Sequence, residues 1–326
     1  MSDLRPSYGD VTAEYRAARE GAALAAGLHD LVWVEGPDAV AFLDGQVSQD
    51  VAGLEVGTVG RSFLLGPKGK LRALLWVLRG EDRVGLIADG GRGDQVREDL
   101  EQFLFRVKVE IRVEASEVFD LWGATAERVL SDVGRSVGAG WSDGGEAITA
   151  RIGSAPDRFV VTGIDEAPLI DAGAVRGGEI ALTTVRIEAG EPVMGVDVDE
   201  ATIPQETGLV EEAVSFTKGC YVGQELVARI DSRGRVNRRL VGIVVAANVV
   251  PPVGAVVMAG ADDVGTVTSV GESLALRAPI AMGSVRREVE AGSPVELRWE
   301  GGSVGARVEE FPLDDFAVSS HTSNTS

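Results

Sequence analysis

The chain has 326 residues, of which 31 are basic and 51 acidic, so its formal net charge at pH 7 is −20. A negative field of this size repels phosphate backbones and anionic lipids, so we expect neither tight direct nucleic-acid binding nor adhesion to a membrane. Hydrophobic residues make up 44% of the sequence and charged residues 25%, which is typical of globular proteins, and the length allows about two or three domains.

Residues 1–234 alternate between helical and strand patterns. The spacing of apolar residues predicts helices over residues 12–27, 38–49, 95–105, 126–133 and 166–174. Runs of β-branched and aromatic residues predict strands over 31–35, 59–65, 71–78, 83–88, 107–113, 118–122 and 158–162. The turn at residues 66–69 joins two of these strands as a hairpin. Because strands, hairpins and helices interleave, we expect an α+β region.

The pattern changes near residue 235. Six short valine-rich runs follow at the spacing of a small β-barrel or sandwich, over residues 240–245, 255–258, 265–269, 275–280, 294–299 and 306–309. The uncharged stretch 240–260 is long enough for a membrane helix, but Pro251 and Pro252 interrupt it, which favours two strands. We therefore expect an α+β region over 1–234, a barrel over 235–311 and a disordered polar tail over 312–326.

Cys220 is the only cysteine. A single cysteine excludes an internal disulfide and fits a reducing cytosol, and residues 1–6 show no apolar stretch of a secretory signal, so we expect a cytoplasmic protein. Cys220 lies beside Lys218 in a glycine-containing loop that leads into a predicted helix. A helix N-terminus and a nearby ammonium both favour the thiolate.

Basic residues concentrate in two islands despite the negative net charge. The first spans residues 61–72 and the second residues 218–239. Two such islands predict a site for phosphates, nucleotides or polyglutamate, although a solvated basic face remains open. Glu188 precedes a glycine turn in an apolar stretch. Its carboxylate can accept two parallel N–H donors of a pterin or guanine edge, or it is a surface residue at a helix end.

These segments together resemble the YgfZ/GcvT superfamily. The resemblance is carried by residues 186–190, 195–197, 204–206 and 216–229, and by the N-terminal stretches 27–30, 36–39 and 42–43. The octet at 218–225, Lys-Gly-Cys-Tyr-Val-Gly-Gln-Glu, resembles the motif of the YgfZ branch. The resemblance covers nearly the whole chain. It implies a GcvT-like fold of two lobes and a barrel around a central hole that accepts tetrahydrofolate. It also implies a role in synthesis or repair of iron–sulfur proteins, including enzymes that thiolate tRNA.

The resemblance also implies roles for individual residues. Lys218, Cys220 and Tyr221 match the motif on which YgfZ activity depends, so they are the expected catalytic residues. Glu188 matches a carboxylate that holds the pterin in aminomethyltransferases, and Arg229 matches an arginine near the folate. The remaining expected cofactor-binding residues belong to the octet: Gly219, Gly223, Gln224 and Glu225.

The hairpin departs from the aminomethyltransferase pattern. Aminomethyltransferases of the glycine cleavage system carry paired aspartates after this turn, whereas no carboxylate lies between Gly66 and Gly80 here. Proton handling in aminomethyl transfer therefore has no evident agent in the hairpin. This favours the YgfZ branch over a glycine-cleavage enzyme and leaves open whether the protein is an enzyme at all.

Cys220 has three open roles. One thiolate cannot hold an iron–sulfur cluster alone, so it ligates a cluster transiently with a partner, forms a mixed disulfide or persulfide, or is structural. With only two histidines, His29 and His321, no zinc site of the protein's own is expected, and His29 is not expected to be catalytic.

Three functions remain open at this point. The first is a folate-binding accessory factor that acts with iron–sulfur enzymes or assembly proteins. The second is a folate-dependent one-carbon transfer enzyme of the aminomethyltransferase or demethylase type. The third is a non-catalytic scaffold whose barrel docks other proteins.

Overall fold

The computed structural model describes residues 4–135, 138, 140–145, 147–233 and 236–314. The helices are Val11–Glu20 (α1), Ala39–Asp44 (α2), Gly93–Glu101 (α3), Ala126–Asp132 (α4), Glu166–Asp171 (α5), Glu179–Ala189 (α6), Val210–Ala213 (α7) and Gln224–Arg233 (α8), with a 3-10 turn at Pro204–Glu206. The helices and strands interleave in an α+β arrangement, as the sequence predicts.

Eleven strands build two sheets before the barrel begins. They are Ala23–Ala26 (β1), His29–Glu35 (β2), Val59–Leu65 (β3), Leu71–Arg79 (β4), Arg83–Asp89 (β5), Glu110–Val113 (β6), Phe119–Trp122 (β7), Trp141–Asp143 (β8), Ile148–Ser154 (β9), Asp157–Val161 (β10) and Val175–Arg176 (β11). One sheet has the order β3-β4-β5-β2-β6 and the other β11-β1-β7-β10-β9-β8. Apart from the parallel pair β1–β11, the strands are antiparallel.

The last six strands close into a barrel. They are Arg238–Val245 (β12), Val256–Ala259 (β13), Asp262–Ser273 (β14), Ala278–Arg286 (β15), Pro294–Trp299 (β16) and Gly302–Glu309 (β17), in the order β12-β15-β14-β13-β16-β17. Pairing of β12 with β17 closes the ring, which leaves no open sheet edge. All six valine-rich runs of the sequence lie in or next to these strands. The Pro251–Pro252 segment is a connection, and no helix in the described ranges is long and apolar enough to span a membrane.

The predicted helix over residues 12–27 is wrong in its second half. Helix α1 ends at Glu20, and Gly21 breaks it. Residues 23–26 instead form β1, in which Ala23, Leu24 and Ala25 are buried, and which pairs with β7 on one side and β11 on the other. Alanine favours a helix by intrinsic propensity, but a small side chain also fits a strand that is buried on both faces, and here the tertiary contacts prevail.

Shared cores join the three units. Trp33 of the first sheet packs on Trp141 of the second with ring centroids 6.0 Å apart, in a cluster that also holds Leu31, Ile87 and Ile152. A second cluster joins the β3–β4 hairpin, α6 and the barrel through residues that include Phe63, Leu71, Ile187, Ile280 and Met282. The two sheets and the barrel therefore hold fixed positions around their junction.

The segment after the barrel also packs on the α+β region. Residues 312–314 fall in the predicted tail, yet the Leu313 amide donates to the carbonyl oxygen of Glu188 at 2.8 Å. The Asp314 carboxylate pairs with Arg19 at 2.6 Å. Residues 315–326, the rest of that tail, lie outside the described residues.

Candidate functional site

A cavity of about 1030 Å³ lies where the two sheets, α6 and the barrel meet. Its apolar walls include Phe63, Trp76 and Trp122, and its charged walls include Arg61, Arg158 and Glu191. Aromatic faces with a few convergent polar groups are the composition of sites for small organic ligands. This cavity is therefore the candidate functional site.

Glu191 lies between two arginines on the cavity wall. Its carboxylate pairs with Arg61, and Arg158 Nη2 lies 2.7 Å from its second oxygen. Burial alone would raise the pKa of Glu191, but the charges of Arg158 and Arg61 lower it to about 2. Glu191 is consequently ionised at neutral pH, and the cluster carries one net positive charge.

The two arginines of this cluster also cover aromatic rings. The Arg61 guanidinium lies 4.2 Å from the centroid of Trp76, and that of Arg158 lies 5.4 Å from the centroid of Trp122. Cation–π contacts of this kind favour the planar guanidinium over a flexible ammonium. Each contact places a guanidinium next to an indole ring on the wall of the cavity.

A second buried ion pair connects α6 to the barrel at the same cavity. Arg186 Nη1 lies 2.6 Å from the Asp197 carboxylate, and Arg186 Nη2 donates to the Ser269 hydroxyl at 2.7 Å. Ser269 and Thr268 of β14 in turn donate to Asp197 Oδ1 at 2.6 and 2.7 Å. Because this carboxylate is fully satisfied, the pair fixes the barrel against α6.

A histidine and two aspartates form a third polar group at the wall. His29 Nδ1 lies 2.7 Å from Asp120 Oδ1. Asp89, the residue opposite His29 in the β2–β5 register, accepts from the Met194 amide at 2.8 Å. Burial raises the pKa of Asp89, although His29 and the Met194 amide oppose that shift.

Glu188 lies in the interior and is not among the residues that line the cavity. Its carboxylate accepts from the Tyr15 hydroxyl at 2.7 Å and pairs with Arg19. Burial and the neighbouring Glu188 together raise the pKa of Tyr15 to about 12. The interior contacts of Glu188 join α1 to α6, and the carboxylate that faces the cavity from this segment is Glu191.

Lys218 of the octet is bound inside the protein. Its side chain is 1% exposed, and its ammonium donates to the carbonyls of Val47 and Gln49 and pairs with Asp44. These three acceptors match the three donors of an ammonium. Burial lowers the pKa of Lys218 against the opposing charges of Asp44 and Asp50. Lys218 thus fastens the octet to the connection after α2.

The other octet residues lie on a surface loop. Gly219, Cys220 and Glu225 are exposed, and Tyr221 is half-buried, with its pKa raised to about 12 by burial. The Tyr221 amide donates to the Gln224 side chain at 2.8 Å just before α8 begins. Arg229 is exposed on α8.

The structure thus separates the predicted octet residues and Arg229 from the cavity. The octet and Arg229 lie together at the start of α8, and no residue between 218 and 229, all of which are described, lines the cavity. Among the described basic side chains of the two islands, Arg61 alone lines the cavity. His29, Asp89, Arg158 and Glu191 line the cavity, and Asp120 contacts His29; the sequence analysis selected none of these residues. Of these, Glu191 could have been selected from the sequence, because it lies three residues after Glu188 in the same segment.

Two family models match this chain. Residues 5–141 match the GCVT N-terminal domain, and residues 238–315 match the glycine cleavage T-protein C-terminal barrel domain. An aminomethyltransferase of Rubrobacter xylanophilus is 31% identical over 95% of this chain and 88% of its own length. The chain therefore belongs to the glycine cleavage T-protein family.

Other similar proteins fall into both branches of that family. The crystal structure of the glycine cleavage system aminomethyltransferase T from Bartonella henselae superposes with a TM-score of 0.88, at 25% identity, over 95% of this chain and 91% of that one. A tRNA-modifying protein YgfZ of Vibrio vulnificus is 28% identical over 64% of this chain and 65% of its own length. The GcvT-like fold is established, and similarity extends to aminomethyltransferases and YgfZ proteins alike.

Proposed function

We propose that this protein binds tetrahydrofolate in the cavity and serves the synthesis or repair of iron–sulfur proteins, acting with those enzymes or their assembly proteins. In this role it supports tRNA modification indirectly. The observation that carries the proposal is the cavity, which combines aromatic walls with the Arg61–Glu191–Arg158 cluster.

The cavity residues fit the chemistry of a reduced folate. A pterin is flat and offers both N–H donors and acceptor atoms, while the glutamate end is anionic. Trp76 and Trp122 offer aromatic faces, and Trp122 Nε1 is a buried donor without a partner in the described part of the chain. An ionised Glu191 can accept pterin N–H groups, and Arg61 and Arg158 favour anionic or carbonyl oxygens.

The octet supports the second half of the proposal. Lys218 and Gly223 hold the loop in place, and the loop exposes the thiol of Cys220. An exposed thiol is open to a partner's cluster, disulfide or persulfide. Since no octet residue lines the cavity, the two proposed activities use separate surfaces, and each can be tested without disturbing the other.

Calorimetry with tetrahydrofolate under anaerobic conditions tests the cavity. Glu191→Gln should weaken binding by roughly tenfold or more, because it removes the charged acceptor. The exposed Glu98→Gln is the matched surface control. Glu188→Gln tests the sequence-based expectation that Glu188 holds the pterin. Equal affinity of wild type and Glu191→Gln would remove Glu191 from the site.

Complementation tests the iron–sulfur role. A host that lacks its own YgfZ is given this protein or Cys220→Ser, and a [4Fe–4S] enzyme that methylthiolates tRNA is assayed. Rescue by wild type alone makes the thiol the working group. Rescue by both makes Cys220 structural, and rescue by neither, with both proteins present, removes the iron–sulfur role.

A folate-dependent one-carbon transfer enzyme is the second candidate. It is favoured by the aminomethyltransferase of Rubrobacter xylanophilus, which aligns with 95% of this chain. The β3–β4 hairpin supplies no carboxylate for such a reaction, because no aspartate or glutamate lies between Gly66 and Gly80. Release of methylene-tetrahydrofolate from a small amine substrate would favour this candidate.

A further inference from the structure

His29 lines the cavity, and Asp120 contacts His29 from the other sheet. His29 opens β2 in the five-stranded sheet, and Asp120 lies in β7 of the six-stranded sheet. Their Nδ1 and Oδ1 atoms are 2.7 Å apart. Asp89 ends β5 opposite His29, and both residues line the cavity. Two titratable groups thus lie on one part of the wall, and Asp120 lies directly behind His29.

Asp120 depends on His29 for its charge balance. The aspartate is 0% exposed, and its Oδ2 has no hydrogen-bond partner in the described ranges. A buried carboxylate is costly unless a cation pairs with it. The charged groups that act on His29 are Asp120, Asp89 and Arg158, and Asp89 in turn faces Arg186 and Arg92. His29 is the only one of these in direct contact with Asp120.

The contact with Asp120 leaves one titrating atom on the wall. Because Asp120 accepts from Nδ1, that nitrogen carries its hydrogen in both the neutral and the charged ring. Nε2 is then the atom that gains or loses a proton. It has no hydrogen-bond partner among the described residues, and the side chain is 13% exposed at the cavity.

We infer that His29 is the proton donor and acceptor for a nitrogen atom of the cavity's ligand, with Asp120 as its positioning residue. The inference rests on the proposed folate site. It assigns to His29 the proton transfer for which the β3–β4 hairpin has no carboxylate. In the donating direction the Nε2–H bond breaks and an N–H bond forms on the ligand nitrogen. The electron pair of the broken bond stays on His29, and the positive charge passes to the ligand. Asp120 keeps its contact with Nδ1 throughout, and the reverse step returns the proton to Nε2.

The electrostatics favour donation as the first step. Burial alone would lower the pKa of His29, but Asp120 and then Asp89 raise it above its ordinary value of 6.5. Asp120 and Asp89 therefore favour the charged ring, which is the form that can donate a proton. A pair that only joined the two sheets would have the same geometry, but its titration would not respond to the ligand.

NMR of the histidine rings separates these roles, because the sequence has two histidines. In His321→Gln, the remaining histidine signal belongs to His29. We expect its midpoint in the free protein to lie above 6.5. Asp120→Asn should lower that midpoint by about one pH unit or more. Saturating tetrahydrofolate, added under anaerobic conditions, should move it by roughly half a unit or more. By linkage, affinity then changes about threefold across that pH range in wild type and stays level in His29→Gln.

The outcomes distinguish this inference from the proposed function. Tetrahydrofolate that binds by calorimetry without moving the His29 midpoint overturns the inference and leaves the folate site standing. An unchanged pH dependence of affinity in His29→Gln overturns it as well. Absence of binding to wild type overturns the folate site and, with it, the ligand step. The shift of the His29 midpoint on tetrahydrofolate binding is measured with His29 and Asp120 both intact. The inference can therefore be tested even if Asp120→Asn or His29→Gln fails to fold.

Discussion

The carbonyl oxygen of Gly223 lies 2.8 Å from the position that a Cβ on Gly69 would occupy. Gly69 closes the β3–β4 turn with φ +70°, and Gly223 lies in the octet with φ +81°. A Cβ on Gly223 would in turn lie 2.6 Å from the carbonyl oxygen of Gly66. The hairpin turn and the octet loop therefore pack backbone to backbone, which explains the glycine before Gln224.

Gly223→Ala should lower the free energy of unfolding by roughly 2 kcal/mol or more, because it combines a left-handed backbone with a clash against the Gly66 carbonyl. Gly219→Ala is the matched control, since a Cβ there meets nothing within 4 Å. Urea unfolding followed by tryptophan fluorescence measures both variants. Equal losses in the two would show that the hairpin contact is unimportant.

Lys218→Met should also destabilise the protein, by roughly 3 kcal/mol, because it leaves Asp44 and two backbone carbonyls without their buried cation. Lys68→Met, at an exposed position in the β3–β4 turn, should stay within about 0.5 kcal/mol of wild type. The same unfolding measurement applies. If Lys218→Met retains wild-type stability but fails in complementation, the lysine acts in function and its structural contacts are secondary.

Glu191 should make stability sensitive to acid. Its folded pKa of about 2 lies below the ordinary value of 4.5, so the stabilisation is fully present above about pH 4.5 and is lost as the pH falls toward 2. A shift of this size corresponds to on the order of 3 kcal/mol. The gap in unfolding free energy between wild type and Glu191→Gln should shrink between pH 6 and pH 3. A constant gap would mean that the two arginines do not hold the carboxylate ionised.

Direct binding to tRNA should be weak and should vanish in moderate salt, given the net charge of −20. Phosphate contacts release counterions, so affinity falls steeply as salt rises. Gel shifts at roughly 20 and 200 mM salt, with single-stranded DNA of equal length as the comparison, measure this. Salt-resistant, tRNA-selective binding would replace the indirect role with a direct one.

Local patterns predicted the barrel well and the cavity poorly. Valine-rich runs at regular spacing specify strands wherever they occur, so β12 to β17 could be recognised from sequence alone. The cavity residues His29, Arg158 and Glu191 come from distant segments, as does Asp120, which contacts His29. Their pairing depends on how the two sheets meet. Lys218 shows that membership in a motif does not by itself predict the role of a side chain. Its place in a motif suggested chemistry beside Cys220, whereas its side chain is bound by the connection after α2.

The short segment after the barrel has a practical consequence for how the protein is handled. The Leu313 amide binds the backbone carbonyl of Glu188, and Asp314 pairs with Arg19, which in turn pairs with the Glu188 carboxylate. The segment after the barrel is therefore held against α1 and α6 around Glu188. A chain that ends at residue 311 would keep all six barrel strands but would lose the contacts of Leu313 and Asp314 with Glu188 and Arg19. Affinity tags and fluorescent fusions therefore belong after residue 314, where they leave the junction of α1 and α6 intact.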